Sequence, residues 1–259
     1  MSNTHYLESW IIRSMAYGEY DCLVGLYSKE LGKLNAYAIG VRKMRSKLRS
    51  SIVPFSRSVL TIHKKKDAAW GRIIGAKALE NISLPLQDFN KMVDASWVCE
   101  LIDRLTPDEQ PSLKKYELLG SILKKIASSG IVTTVFKIIF AFCMLEYSGH
   151  GLRVNHCSEC LSAYGDTEPV WISHAGVICI RCSCHIQKKI PVSPVLCGLL
   201  KDMKEDPWLL ETYPINRVEL ETLMSTLSFV LNHYLGKPLK AEIFAKKVGS
   251  FAAVKDRVS

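Results

Sequence analysis

Residues 33–41 read Lys-Leu-Asn-Ala-Tyr-Ala-Ile-Gly-Val, and residues 42–49 read Arg-Lys-Met-Arg-Ser-Lys-Leu-Arg. In the first stretch polar and small residues alternate with Leu and Ile, the period-two pattern of a strand with one buried face. In the second, five cations, Arg42, Lys43, Arg45, Lys47 and Arg49, fall within eight positions. A strand running into a cationic loop sets the reading of the first third: short strands, with positive charge carried on the turns.

The neighbouring segments repeat this pattern. Trp10-Ile11-Ile12 is an apolar run, and residues 21–27 (DCLVGLY) form another after the turn-like Tyr17-Gly18-Glu19. Residues 55–63 alternate again, and residues 71–79 make a fifth run. Pro54 falls at a strand start, where a missing N–H is tolerated. Five short strands in 80 residues, separated by Gly, Ser and charged turns, predict a small barrel or sandwich.

From Ser83 the periodicity becomes helical. Residues 89–105 place Phe89, Met92, Val93, Trp97, Leu101 and Leu105 along one stripe, and Pro107 and Pro111 end it. Residues 113–127 form a second amphipathic helix, stopped by Ser128-Ser129-Gly130. Residues 132–147 are apolar on most sides and predict a core helix. The apolar stretch 131–145 carries Lys137 and is too short to span a bilayer, so no membrane contact is expected. Helices are also expected over 193–203 and 217–235. The architecture is therefore α+β: a five-stranded barrel over 1–80, then a mainly α-helical domain over 81–259.

Composition agrees with a folded chain. Of 259 residues 48% are apolar and 23% charged, which excludes disorder throughout. The 34 Lys and Arg exceed the 25 Asp and Glu, and the excess is local. Residues 1–80 hold 14 basic and 6 acidic residues, whereas 81–259 hold 20 and 19. Residues 42–77 hold 11 basic residues and one acid, Asp67. Charge concentrated in this way predicts an anionic partner, nucleic acid before a membrane surface. The start, MSNTHYLESWIIRS, lacks a cationic segment followed by an apolar one, so a cytoplasmic protein is expected.

Four of the nine cysteines form two C-x-x-C pairs, Cys157/Cys160 and Cys179/Cys182, with 18 residues between them. Two thiolates on each of two tight turns can supply the corners of a tetrahedron, so this spacing predicts one zinc ion. Four sulfurs close the coordination shell and leave no position for water, which makes the metal structural. Cys184, His185 and His156 lie close enough in sequence to compete for a ligand position. Cys22, Cys99, Cys143 and Cys197 sit in apolar runs and are expected to pack.

The cations outside the first loop are Lys64, Lys65 and Lys66, flanked by Trp70, with Arg72 beyond. Basic loops on a five-strand barrel with nearby aromatics (Tyr27, Tyr37, Phe55, Trp70) suit single-strand binding by charge and stacking. Catalysis finds no motif: no phosphate-binding glycine loop, no zincin signature and no nucleophile elbow. Asp21, Asp67 and Glu80 are isolated acids. A non-enzymatic protein is expected.

Several segments together resemble the bacterial RecO family of DNA repair proteins. These are Trp10 to Asp21, Leu31 to Lys43, Ser46 to Phe55 with its Pro54-Phe55 pair, the two C-x-x-C pairs, and Asn232-His-Tyr-Leu-Gly-Lys-Pro-Leu-Lys240. The resemblance runs through most of the chain, and its specificity comes from the order and spacing of the five pieces. It implies an N-terminal OB-fold and a helical domain with a zinc-ribbon-like module, here 153–190. It implies binding of single- and double-stranded DNA, annealing of complementary strands, pairing with RecR, binding of the acidic tail of single-strand-binding protein, and help in loading RecA. A nucleoid-associated location follows from the same resemblance.

Two other readings use the same residues. A zinc-stabilised scaffold binding an acidic protein tail, with DNA secondary, would prefer an acidic, hydrophobic-ended peptide over oligonucleotides. A nuclease would need an acidic cluster, which the sequence does not show.

Overall fold

The computed structural model describes residues 2–66, 68–82, 88–129, 133–165, 168–245 and 247. Asp67, Ser83, Gly130 and Val132 lie outside the described residues.

The N-terminal strands are β1 (Ser2–Tyr17), β2 (Asp21–Ser28), β3 (Gly32–Ala38), β4 (Ser56–Lys65) and β5 (Trp70–Asn81). They close into a barrel in the order β1-β2-β3-β5-β4. β1 is long because it serves two neighbours: Ser2 to Trp10 pair with β4, and Ser9 to Tyr17 pair with β2. An irregularity between Ile11 and Arg13 lets it turn from one to the other. β3 and β5 meet in parallel, Asn35 opposite Trp70 and Tyr37 opposite Arg72. This is the OB-like arrangement expected from the sequence.

Leu7, Ile11, Val24, Leu26, Leu34, Leu60, Ile62 and Ile73 fill the barrel. Each such side chain contributes about 1.5–3 kcal/mol on burial. Trp10 and Ile12 are buried as well, so this part of β1 is covered on both faces. That explains why Trp10-Ile11-Ile12 reads as a continuous apolar run instead of an alternation.

Helices α1 (Phe89–Leu105) and α2 (Leu113–Ser128) follow. The Asp88 carboxylate caps α1 by accepting from the amides of Asn90 and Lys91, and Ser112 caps α2 by accepting from Lys115. The buried face of α1 is Ala95, Trp97, Val98, Leu101 and Ile102. Phe89 and Met92, placed on the apolar stripe by periodicity, are exposed. The first turn of α1 runs past the packed surface, and Phe89 meets Phe244, with ring centroids 6.0 Å apart.

The α1–α2 connection docks on the barrel. The Lys33 ammonium donates to the Asp103 carbonyl at 2.7 Å and pairs with Asp108 at 3.1 Å. Gly32 lies beneath this connection at φ +70°, and a Cβ there would sit 2.3 Å from the Gln110 carbonyl oxygen. Only glycine meets both conditions. The Glu8 carboxylate accepts from the Tyr116 hydroxyl at 2.9 Å and from Arg57 at 3.3 Å.

The chain packs into two compact units, Met1–Ile131 with Leu239–Ser259, and Val132–Pro238. The charge shift near residue 80 coincides with the change from strands to helices, while packing keeps α1 and α2 with the barrel. The second unit contains α3 (Thr134–Tyr147), α4 (Ile180–Ser183), α5 (Pro194–Glu205) and α6 (Arg217–Leu235). All residues from Ile138 to Leu145 are buried, so α3 is the core helix. A capping box of Asn216 and Glu219 starts α6. The unit also holds a three-stranded sheet, β7-β6-β8, of β6 (Val170–Ser173), β7 (Gly176–Ile178) and β8 (Ile190–Val192). Strands this short show no alternation, so the sequence does not announce them.

Candidate metal centre and nucleic-acid interface

Two tight turns carry the four cysteines. In the first, the Leu161 amide donates to the Cys157 carbonyl at 3.0 Å and the Cys157 amide to the Ser162 carbonyl at 3.0 Å. In the second, Cys179 heads α4, and its carbonyl accepts from Cys182 at 3.2 Å and Ser183 at 3.0 Å. The sulfurs of Cys157, Cys160, Cys179 and Cys182 all lie within 4.8 Å of one another. A tetrahedral zinc site with bonds of about 2.3 Å needs sulfur–sulfur edges of about 3.8 Å. The Cys160–Cys179 separation is 3.8 Å.

The surroundings favour the thiolate at Cys157 and Cys160 but not at Cys182. Burial raises the Cys157 thiol, but backbone amides of Cys160, Cys179 and Glu159 outweigh it and bring the pKa below its ordinary value. The hydroxyl and amide of Ser162, with Cys157 and Cys182, hold Cys160 down to about 6. Cys182, facing Cys160 first and the other two sulfurs after it, is pushed up to about 12. The thiolates at Cys157 and Cys160 thus oppose ionisation of Cys182, and a cation among the sulfurs would relieve that repulsion. The group packs against Tyr164, Trp171, Ile178 and Ile186.

Cys184, His185 and His156 are not among the residues whose ligand atoms come together. The exposed Cys184 thiol donates to the Arg181 carbonyl at 3.3 Å. His156 lines a cleft of about 430 Å³ with Arg153, Lys204 and Cys157 of the cluster. His185 is not among the four residues of the cluster. The turn between β6 and β7 is tied to α6 by His174, whose ring stacks on His233 at 3.8 Å, and the segment after α3 by His150, which stacks on Tyr234 at 4.1 Å. The Tyr234 hydroxyl donates to the His174 carbonyl at 3.2 Å.

On the barrel, the loop after β3 presents Arg42, Lys43, Arg45, Lys47 and Arg49, all exposed. It is stitched to the β1–β2 turn. The Arg42 amide donates to the Tyr20 carbonyl at 2.9 Å, and its guanidinium to the Gly18 carbonyl at 3.3 Å. The Gly40 amide donates to Asp21 at 2.7 Å, and the Lys43 ammonium lies 5.4 Å from the Tyr20 ring centroid. Lys65, Lys66 and Arg72 are exposed. Lys64 differs: it pairs with Glu109 and its side chain is only 11% exposed.

The four aromatics singled out in the sequence separate into two pairs. Tyr27 and Phe55 are buried. Tyr37 and Trp70 lie on the outer face of neighbouring strands, with ring centroids 5.1 Å apart. Tyr17, which the sequence placed in a turn, joins them 5.8 Å from Tyr37. Arg13 carries no signal in the sequence: it lies over Gly25 and donates to the Asn35 side chain at 2.8 Å. The alternation of residues 34–38 puts Tyr37 outside, but nothing local places Tyr17 next to it.

The chain is similar to known proteins along most of its length. The family model "Recombination protein O N terminal" matches residues 1–82, and "Recombination protein O C terminal" matches 86–242. The chain is 26% identical over 242 residues to "DNA repair protein RecO" of Myxococcus xanthus, covering 93% of this chain and 97% of that one. It is 28% identical over 172 residues to the Clostridium perfringens protein of that name, covering 66% and 69%. A Listeria monocytogenes protein of that name is 31% identical over 175 residues, covering 68% and 67%.

Proposed function

The chain belongs to the RecO family of recombination proteins acting in DNA repair, and from that membership we propose that it binds single- and double-stranded DNA and anneals complementary strands. The observation that carries this reading is the loop 42–49: all five of its cations are exposed, and its first residues are anchored to the β1–β2 turn. A fixed cationic surface binds phosphates and releases their counterions. Two complementary strands repel through their phosphates. Arg42, Lys43, Arg45, Lys47, Arg49, Lys65, Lys66 and Arg72 lower that repulsion, and base pairing then drives annealing without a reaction catalysed by the protein. Lys64, already paired with Glu109, contributes to the local field more than to direct contact.

Cys157, Cys160, Cys179 and Cys182 hold one zinc ion, for which a thiolate set of this size is suited. The ion braces the two turns and takes no part in chemistry. The protein acts with RecR and with the acidic tail of single-strand-binding protein, and so helps RecA to load. No helix among the described residues is long and apolar enough to cross a membrane.

The test is a salt series on a fluorescent single strand, with zinc measured on the same sample. Tight, salt-steep binding with one zinc per chain is expected. Replacing the five loop cations by Ala should remove about 0.7 from the log–log salt slope for each phosphate of the single strand that is no longer neutralised. An unchanged slope overturns the role of the loop. Preference for an acidic peptide over DNA would favour the protein-scaffold reading.

A further inference from the structure

We propose that Tyr17, Tyr37 and Trp70 form a stacking track that accepts the unpaired bases of a single strand and rejects duplex, while the loop 42–49 holds the phosphates of both. This rests on the DNA-binding reading above and divides its work between two surfaces.

The three rings lie on three different strands. Tyr37 alternates with the buried Ala36 and Ala38, so its ring stands on the outer face of the barrel. Tyr17 is 52% exposed and Trp70 is half-buried. The planes are tilted by 59° between Tyr17 and Tyr37 and by 33° between Tyr37 and Trp70, so the rings do not cover one another face to face. Exposed π-faces are what sequence-tolerant single-strand binders offer to bases.

Cations flank the row. Arg72 pairs in register with Tyr37, and Arg13 is held beside it through Asn35. The β1–β2 turn at one end carries Lys43 against Tyr20, and Lys65 and Lys66 precede Trp70 at the other. A strand whose bases lie on the rings therefore has positive charge available for its phosphates along the whole row.

Spacing sets the selectivity. The centroids are 5.1 and 5.8 Å apart, against about 3.4 Å between successive bases of one duplex strand. Bases seated on successive rings are drawn apart relative to a helix, and bases inside a duplex have their faces covered by the neighbours they stack on. Pairing and stacking on the track compete, so a strand that finds its complement leaves the track. Release of the product needs no cofactor.

Ring pairs across strands also stabilise sheets by themselves. The experiment separates the two roles. An unstructured oligothymidine and a duplex of equal length are titrated into the full-length protein and into Tyr37→Leu, Trp70→Leu, Trp70→Phe and the five-Ala loop variant, with thermal unfolding recorded for each. Each Leu variant should weaken oligothymidine binding by about 5- to 150-fold. Duplex binding and the salt slope should stay as in the parent protein. Trp70→Phe, which keeps a ring, should retain most of the single-strand affinity, whereas the loop variant should weaken both ligands and flatten the slope. Leu variants that weaken both ligands equally, or neither, overturn the track and leave the DNA-binding reading standing. A parent protein that binds neither oligonucleotide overturns both.

Discussion

Gly120 of α2 lies against the indole of Trp10 on β1: a Cβ at position 120 would fall 2.9 Å from Cζ2, 3.0 Å from Nε1 and 3.1 Å from Cε2. Trp10 is 1% exposed, so its ring has no room to withdraw. The helix approaches the barrel this closely only because residue 120 has no side chain.

That packing sets two effects against each other. In a free helix Gly→Ala gains about 1 kcal/mol from backbone entropy. Overpacking of a filled core costs about 1–3 kcal/mol. Here the second should win, so Gly120→Ala should lower the urea midpoint, by up to about 2 kcal/mol of stability. A raised midpoint would mean that the Trp10 ring yields easily.

Lys64 and its two neighbours should respond differently to substitution. Lys64→Ala breaks the pair with Glu109 on the α1–α2 connection and should cost about 1 kcal/mol in stability, read from thermal unfolding. The double change Lys65→Ala with Lys66→Ala should leave stability unchanged within about 0.5 kcal/mol and reduce the salt slope of DNA binding. Reversed outcomes would show that Lys64 faces the DNA.

The cluster of four cysteines makes a compositional prediction. Cys157→Ser or Cys179→Ser should abolish stoichiometric zinc measured by mass spectrometry of metals, and Cys184→Ser should retain it, because the Cys184 sulfur is outside the cluster. A chelator should lower the thermal midpoint of the parent protein, since a structural metal contributes its binding energy to folding. Retention of zinc by Cys179→Ser would remove that residue from the ligand set.

The stacked His174–His233 pair should make stability depend on pH. Desolvation, then the charges of His174 and Lys188, hold His233 below its ordinary value of 6.5. The folded state therefore disfavours protonated His233. Its contribution is fully present above pH 6.5 and falls away as the pH drops through the lower folded value. His233→Gln should flatten the loss of thermal stability below pH 6.5 relative to the parent protein. Identical slopes would mean that the pair carries no linkage.

Much of the fold was legible because its signals are local. The boundaries of α1 and α6 fall where periodicity placed them, Phe89–Leu105 and Arg217–Leu235, each opened by a capping side chain one residue before the helix. The strands of the barrel were visible through alternation, but their lengths were not. The outer-face residue Trp10 of β1 is buried against Gly120, and the alternation lapses there. The small sheet of the cysteine module was invisible, since strands of three or four residues carry no period.

The sequence by itself marked the two cysteine pairs and the position of the positive charge. Two C-x-x-C turns hold their sulfurs together within a few bonds of backbone, and a loop crowded with Arg and Lys cannot bury them without partners. Only the tertiary structure decided which of the marked residues are free to act. It buried Tyr27 and Phe55, paired Lys64 with Glu109, and brought Tyr17 beside Tyr37 and Trp70. Which face of a strand is covered depends on the helix that lands on it. Which rings meet depends on register between strands distant in sequence, and neither is encoded within the segment itself.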